Sequence, residues 1–133
     1  MRSIWKLLFV VFALAISMPL AAQEWGHPHP PRAGACFYQD PNFGGGYFCM
    51  KAGDRYARMP KGFNDAISSI KVFGDAQVRI FNDPNFSGIN ALMDRPVGDL
   101  RNWRLPQNPN KSWNDRISSI AVFHRGKDQW YKP

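Results

Sequence analysis

The sequence predicts an all-β domain, a β-sandwich of two Greek-key motifs, because two ordered strings each occur twice. Residues 38–45 and 81–88 share an aromatic residue, a variable residue and then Asp-Pro-Asn-Phe. Residues 63–70 and 113–120 share Asn-Asp-x-Ile-Ser-Ser-Ile. Such a duplication indicates two copies of one supersecondary unit. Short alternating apolar runs, such as residues 77–81, lie between Gly, Pro, Asn and Asp, which favours strands and turns over helices.

Residues 1–22 are predicted to be a cleaved signal peptide. Arg2 and Lys6 precede an apolar run at residues 7–16 that is short for a membrane span, and small residues follow before Gln23. An uncleaved anchor is the alternative, but no second apolar stretch of this length follows. Cleavage removes two positive charges and no acidic residue from the formal net charge of +7. The predicted localisation is secreted or periplasmic.

The remaining chain is predicted to be a linker followed by one domain. Residues 23–34 are rich in proline, which disfavours helices and central strands. Residues 35–133 form the predicted domain, with Greek key one at about 35–75 and Greek key two at about 77–125.

The two cysteines, Cys36 and Cys49, are predicted to form one disulfide. An even number of cysteines in an exported protein favours pairing. The bond would close a short loop in copy one, with an expected stabilisation of about 2–3 kcal/mol. The aligned positions in copy two are Arg79 and Leu92, so the disulfide is not part of the duplication.

The first repeated string is predicted to be a hairpin that is folded over by its own aromatic residues. Asp caps a tight turn with its side chain, and Pro presets the next backbone position. A later Gly suits a position where φ is positive or a side chain would clash. The flanking aromatic residues pack across the turn. These positions are Tyr38, Asp40, Pro41, Phe43 and Gly45 in copy one and Phe81, Asp83, Pro84, Phe86 and Gly88 in copy two.

This repeated pattern of aromatic, turn, aromatic, glycine and a later serine resembles the βγ-crystallin Greek-key motif. The resemblance covers about residues 35–125 and implies one four-stranded Greek key per copy, with the two paired into a sandwich. It also implies that Ser69 and Ser119 are structural, because the last serine of the second string bonds to the folded hairpin in that family.

The second repeated string resembles the calcium signature of microbial βγ-crystallins, and both copies match it in full. The resemblance implies two Ca²⁺ sites shared between the copies, with an Asp on one side, a Ser on the other and an oxygen from the residue after the hairpin aromatic. Calcium takes six to eight oxygen ligands, which such residues supply. The implied ligands are Asn64, Asp65, Ser68, Asn114, Asp115, Ser118, Gln39 and Asn82. The alternative is that the strings only close the fold. Modest affinity is expected because each site has about one carboxylate, and Arg116 is expected to weaken the second site.

Residue types that support catalysis or transition-metal binding are sparse, and the chain is predicted not to be an enzyme. Glu24 is the only glutamate, which argues against a paired-carboxylate glycosidase. His124 follows a predicted strand with no nucleophile motif nearby. For His27 and His29 a soluble tail is favoured over a metal site.

Copy two contains seven extra residues within residues 94–112, and this stretch is a candidate partner-binding segment. Long connections in compact domains are often functional, and exposed Arg and Trp are favoured at interfaces. The predicted contact residues are Arg101, Trp103 and Arg104. The alternative is that Trp103 packs into the core and the arginines are only solvated.

The order of leader, hairpin string, second cysteine and Asn-Asp string resembles the bacterial peptidase inhibitors of crystallin fold, whose known members block metalloproteinases. The resemblance implies a secreted calcium-binding domain that binds a peptidase, through either residues 94–112 or the connection at residues 51–61. The alternatives are a structural or stress-protective domain, and a cationic protein that binds a membrane surface or envelope polysaccharide. A nucleic-acid partner is not expected, because the positive charge is spread along an exported chain.

Overall fold

The computed structural model describes residues 29–127, which form nine strands and two short 3-10 turns. The predicted signal peptide and residues 23–28 of the predicted linker lie outside the described residues. The strands are β1 (Gly34–Asp40), β2 (Gly44–Lys51), β3 (Arg55–Tyr56), β4 (Ser69–Phe73), β5 (Ala76–Asp83), β6 (Ser87–Met93), β7 (Arg104–Leu105), β8 (Asn108–Ser112) and β9 (Ser119–His124). The 3-10 turns are Pro41–Phe43 and Leu100–Asn102.

The strands form two main antiparallel sheets, which confirms the predicted all-β sandwich. Sheet one has the order β2-β1-β4, and sheet two has the order β3-β9-β5-β6. In both copies the first two strands form a hairpin, and the first strand also pairs with the last strand of its copy. Strands β7 and β8 form a separate hairpin within residues 94–112, the stretch that contains the seven extra residues of copy two.

Each copy contributes a short extended segment to the sheet of the other copy. Strand β3 of copy one pairs with β9, so that Arg55 lies opposite Ala121 in sheet two. In the other direction, Val97 of copy two bridges to Ile70 of β4, with hydrogen bonds of 2.8 and 2.9 Å. This exchange places the two Asn-Asp strings next to each other.

The core lies between the two sheets and is filled by the alternating apolar residues of the strands. In β5 the side chains of Ala76, Val78 and Ile80 are fully buried, whereas Gln77 and Arg79 between them are partly exposed, as expected for a strand with one buried face. The largest fully buried side chains are Trp113, Phe37, Phe48, Phe81, Met50, Ile67, Ile70, Ile80, Met93, Leu100, Ile117 and Ile120.

The predicted disulfide is present between Cys36 and Cys49, which lie directly opposite each other on β1 and β2. Both cysteines are fully buried, so the bond lies inside the packed structure of copy one. Within residues 29–127, no helix has the length and apolar character needed to cross a membrane.

Candidate metal centre

The two folded hairpins have the same geometry, and each is fixed by a buried serine. The Ser69 hydroxyl donates to the Asp40 carbonyl at 2.6 Å and accepts from the Phe43 N–H at 2.9 Å. The equivalent bonds in copy two join Ser119 to Asp83 at 2.6 Å and to Phe86 at 3.0 Å. The structural role implied for these serines therefore matches the geometry.

The two Asn-Asp strings lie side by side and exchange backbone hydrogen bonds. The Asp65 N–H donates to the Ile117 carbonyl at 3.2 Å, and the Asp115 N–H donates to the Ile67 carbonyl at 3.0 Å. Both aspartates have positive φ, 53° and 57°. Asp tolerates this left-handed conformation better than most residues, which explains its use at a bend that exposes its carboxylate.

The first cluster of candidate ligands, here called site one, combines residues from both copies. The Ser118 hydroxyl donates to the Asp65 carboxylate at 3.3 Å, and the Asn64 amide donates to the other carboxylate oxygen at 3.3 Å. Ser118 is only 6% exposed, whereas Asp65 is exposed. Asp65 and Ser118 line a surface depression. Its other lining residues are Arg58, Met59, Asn64, Asn82, Asp83 and Pro84.

The second cluster, here called site two, consists of Asp115, Asn114 and Ser68, without the predicted ligand Gln39. The backbone bond from Asp115 to Ile67 places Asp115 beside Ser68, whose side chain is almost completely buried. The Asn114 Oδ1 atom is buried and has no protein hydrogen-bond partner. Gln39 is directed elsewhere, because its amide donates to the Gly62 carbonyl at 3.1 Å. Asp115 lines a depression together with Arg116 and with Asp65 and Asn82 of site one.

The donor atoms at these sites suit a hard cation. Residues 29–127 contain no group of three or more His, Cys, Asp or Glu side chains that could hold a metal ion. A Ca²⁺ site does not need such a group, because amide, hydroxyl and backbone oxygens can supply ligands beside a carboxylate. The convergence of Asp, Asn and Ser oxygens therefore fits Ca²⁺ better than a transition metal.

Two features of the site were not predicted from the sequence. Arg58 and Met59 line site one because the Ala57 carbonyl accepts a hydrogen bond from the Asn85 N–H at 2.8 Å. This contact joins the copy-one connection to the hairpin of copy two. In addition, the Asn82 side-chain oxygen already accepts from the Ile89 N–H at 2.8 Å, so part of its acceptor capacity is used within its own hairpin.

The predicted partner-binding residues differ in their surroundings. The Arg101 guanidinium contacts both carboxylate oxygens of Asp99 at 2.7–3.1 Å, and these hydrogen bonds hold the pKa of Asp99 below its usual range. Arg104 is exposed. Trp103 is partly buried and packs against the core. Its position therefore agrees better with a packing role than with an exposed partner contact.

The duplicated hairpins, the exchanged segments and the paired sheets define the described domain as a βγ-crystallin domain. Within it, residues 29–93 match the model of Peptidase inhibitor family I36. The matched family is one of inhibitors and not of enzymes, in agreement with the prediction for this chain. A search of curated proteins found no significant match.

Solved structures with this fold cover most of the described residues. A βγ-crystallin domain from Flavobacterium johnsoniae is 26% identical over 70% of this chain and 97% of its own, with a TM-score of 0.55. A structure from a study of the evolution of the eye lens βγ-crystallin domain fold is 28% identical over 74% and 94%, with a TM-score of 0.57. The βγ-crystallin domain of Abundant Perithecial Protein from Neurospora crassa, solved in its Ca²⁺-bound form, is 20% identical over 72% and 93%, with a TM-score of 0.57.

Proposed function

We propose that this chain is an exported, calcium-binding βγ-crystallin domain that inhibits a peptidase. The observation that carries the inhibitory part is the match of residues 29–93 to a peptidase inhibitor family. Export is supported by the predicted leader and by the buried Cys36–Cys49 disulfide, since such bonds form and persist mainly in oxidising compartments.

Calcium binding is supported by the chemistry of the two clusters. Asp65 and Ser118 come from different copies yet lie within hydrogen-bond distance of each other, so a cation between them would join the two Greek keys. The Ca²⁺-bound domain from Neurospora crassa provides a precedent on the same fold. Bound Ca²⁺ would neutralise the exposed carboxylates and stabilise the pairing of the copies.

The proposed contact segment for the peptidase is residues 99–112, here called the insertion. Its base is anchored, because Leu100 and Leu105 are buried and the Asp99 side chain holds Arg101. Its tip is mostly exposed and contains Pro106 and Pro109. A segment already held in one conformation loses less entropy on binding, which favours an inhibitor.

The charge of the insertion indicates the kind of surface it would contact. Arg101, Arg104 and Lys111 are exposed, and Asp99 is its one acidic residue. An acidic rim around a peptidase active site would complement this charge and speed association.

The test is inhibition of a panel of secreted metallopeptidases by the wild-type chain and by two double variants. Arg104→Ala with Lys111→Ala should weaken inhibition by about tenfold or more, equivalent to about 1.4 kcal/mol. The matched control, Arg32→Ala with Lys127→Ala, removes two exposed cations outside both candidate contact segments and should inhibit like wild type. Failure of the wild-type chain to inhibit any member of the panel would contradict the proposed inhibitory function.

A further inference from the structure

The insertion is hydrogen-bonded at both ends to the strings that form site two. At its start, the Leu100 N–H donates to the Ser68 carbonyl at 2.8 Å. At its end, the Trp113 N–H donates to the Trp103 carbonyl at 2.8 Å, and Trp113 directly precedes Asn114. The start of the insertion is therefore bonded to Ser68, a candidate cation ligand. Its end is bonded to Trp113, which directly precedes the candidate ligand Asn114.

Site one adjoins a different connection. Its depression is lined by Arg58 and Met59 of the copy-one connection, and Ala57 of that connection bonds to the hairpin of copy two. The two sites are thus related by the duplication, but each borders a different inter-strand segment.

The junction between site two and the insertion contains the two buried polar side-chain atoms that lack a protein partner within residues 29–127. They are Trp113 Nε1 and Asn114 Oδ1. Buried polar atoms are nearly always hydrogen-bonded or bound to an ion, so the unpaired amide oxygen of Asn114, the residue directly before Asp115, is a ready acceptor for a cation or its bound water. Site one shows no such atom among the described residues, since its carboxylate already has two donors.

A ligand that requires an ordered binding site suppresses local openings that disrupt the site. Opening of the insertion would break its bonds to Ser68 and Trp113 and so release residues next to Asp115. Cation binding at site two would oppose this opening by mass action. Because such coupling is reciprocal, a partner that holds the insertion would also raise the affinity of site two for the cation.

We propose that site two is a calcium-controlled clamp on the insertion, and that site one does not share this role. Loading of site two holds the insertion in the conformation that it presents to a partner. Loading of site one joins the two copies but leaves the opening of the insertion unchanged. This inference rests on the proposed function and adds to it a regulatory role for one of the two sites.

The test is amide hydrogen exchange of the full chain with and without calcium, in wild type and in two matched variants. Asp115→Asn removes the carboxylate of site two, and Asp65→Asn removes that of site one. The reporter amides are Leu100, Trp103 and Trp113. In wild type and in Asp65→Asn, calcium at a hundred times the site dissociation constant should slow their exchange by about 100-fold. In Asp115→Asn their exchange should not respond to calcium.

A second pair of variants keeps the test decisive if Asp115→Asn or Asp65→Asn fails to fold. Ser68→Ala and Ser118→Ala remove the equivalent hydroxyls of site two and site one, and the calcium response should be lost only in Ser68→Ala. Equal loss in both members of a pair, or loss only in the site-one member, would overturn the clamp while leaving calcium binding intact. No calcium effect on any amide would overturn both the clamp and the calcium part of the proposed function. A wild-type chain that shows the predicted pattern but inhibits no peptidase would support the clamp and contradict only the inhibitory function.

Discussion

Ser69 and Ser119 show how a repeated sequence becomes a repeated contact. Each is fully buried, and each uses its one hydroxyl as donor and acceptor to fix a folded hairpin. The hairpins need this support because their turns hold non-glycine residues, Asn42 and Phe43 in copy one, at positive φ. A single side chain in each copy therefore stabilises a conformation that the local sequence does not favour by itself.

Ser69→Ala should lower the free energy of unfolding by about 1–3 kcal/mol, because the Asp40 carbonyl and the Phe43 N–H lose the partly buried hydrogen bonds that they make to the hydroxyl. Urea unfolding measures the change. The control is Ser87→Ala on the exposed end of β6, which should stay within about 0.5 kcal/mol of wild type. Equal unfolding midpoints for Ser69→Ala and wild type would show that the hairpin does not depend on this serine.

The sequence predicted the glycine after each turn from local chemistry, and Gly45 and Gly88 both have positive φ. The predicted capping role of Asp40 was wrong, because its side chain makes no capping hydrogen bond at the turn. The roles of Ser69 and Ser119 were implied only by the resemblance, since their partners lie 26–36 residues away in the sequence. The orientation of Gln39 was not predictable in the same way. Its amide bonds to Gly62, 23 residues away, and that contact depends on the tertiary path of the connection.

At the scale of elements, the insertion is held partly by an ion pair, so its order should depend on pH. Hydrogen bonds from the Arg101 side chain and then from its backbone N–H lower the pKa of Asp99. A carboxyl with a lowered folded-state pKa stabilises the fold above its unfolded-state pKa, and this contribution is lost as pH falls through the folded-state value. The Asp99–Arg101 ion pair should therefore persist at neutral pH and be lost in acid.

An NMR pH titration of the Arg101 Nε–H resonance tests this expectation. The resonance should move when Asp99 is protonated, at a pH below the usual range for aspartate. In Asp99→Asn the acid transition should disappear. A transition at the usual aspartate pH would mean that the ion pair is not formed in solution.

The disulfide is the other element-scale feature, and it closes a loop only in copy one. Replacing Cys36 and Cys49 with alanine should lower the free energy of unfolding by about 2–3 kcal/mol, because a short loop is no longer closed in the unfolded chain. Chemical denaturation of the double variant measures this loss. A reductant should destabilise wild type by a similar amount and leave the double variant unchanged, and an insensitive wild type would contradict the prediction.

At the scale of the whole molecule, the fold was predictable but the assembly of each site was not. The duplicated strings identified the ligand types, yet they left open which aspartate faces which serine. That pairing follows from the exchange of β3 and Val97 between the sheets, a tertiary arrangement that places Asp65 beside Ser118. The hairpin of β7 and β8 was likewise predicted only as a long connection, since its residues Asn108–Ser112 include a proline and few strand-forming side chains.

The central claim is that calcium joins the two copies, and thermal unfolding with excess calcium and with chelator tests it most directly. Calcium at a hundred times the dissociation constant of one site should add about 2.7 kcal/mol to the stability of the folded chain, which raises Tm by several degrees. An Asp65→Ala, Asp115→Ala double variant should show no rise. Superimposed wild-type curves at millimolar calcium would contradict the claim and leave the Asn-Asp strings as elements that only close the fold.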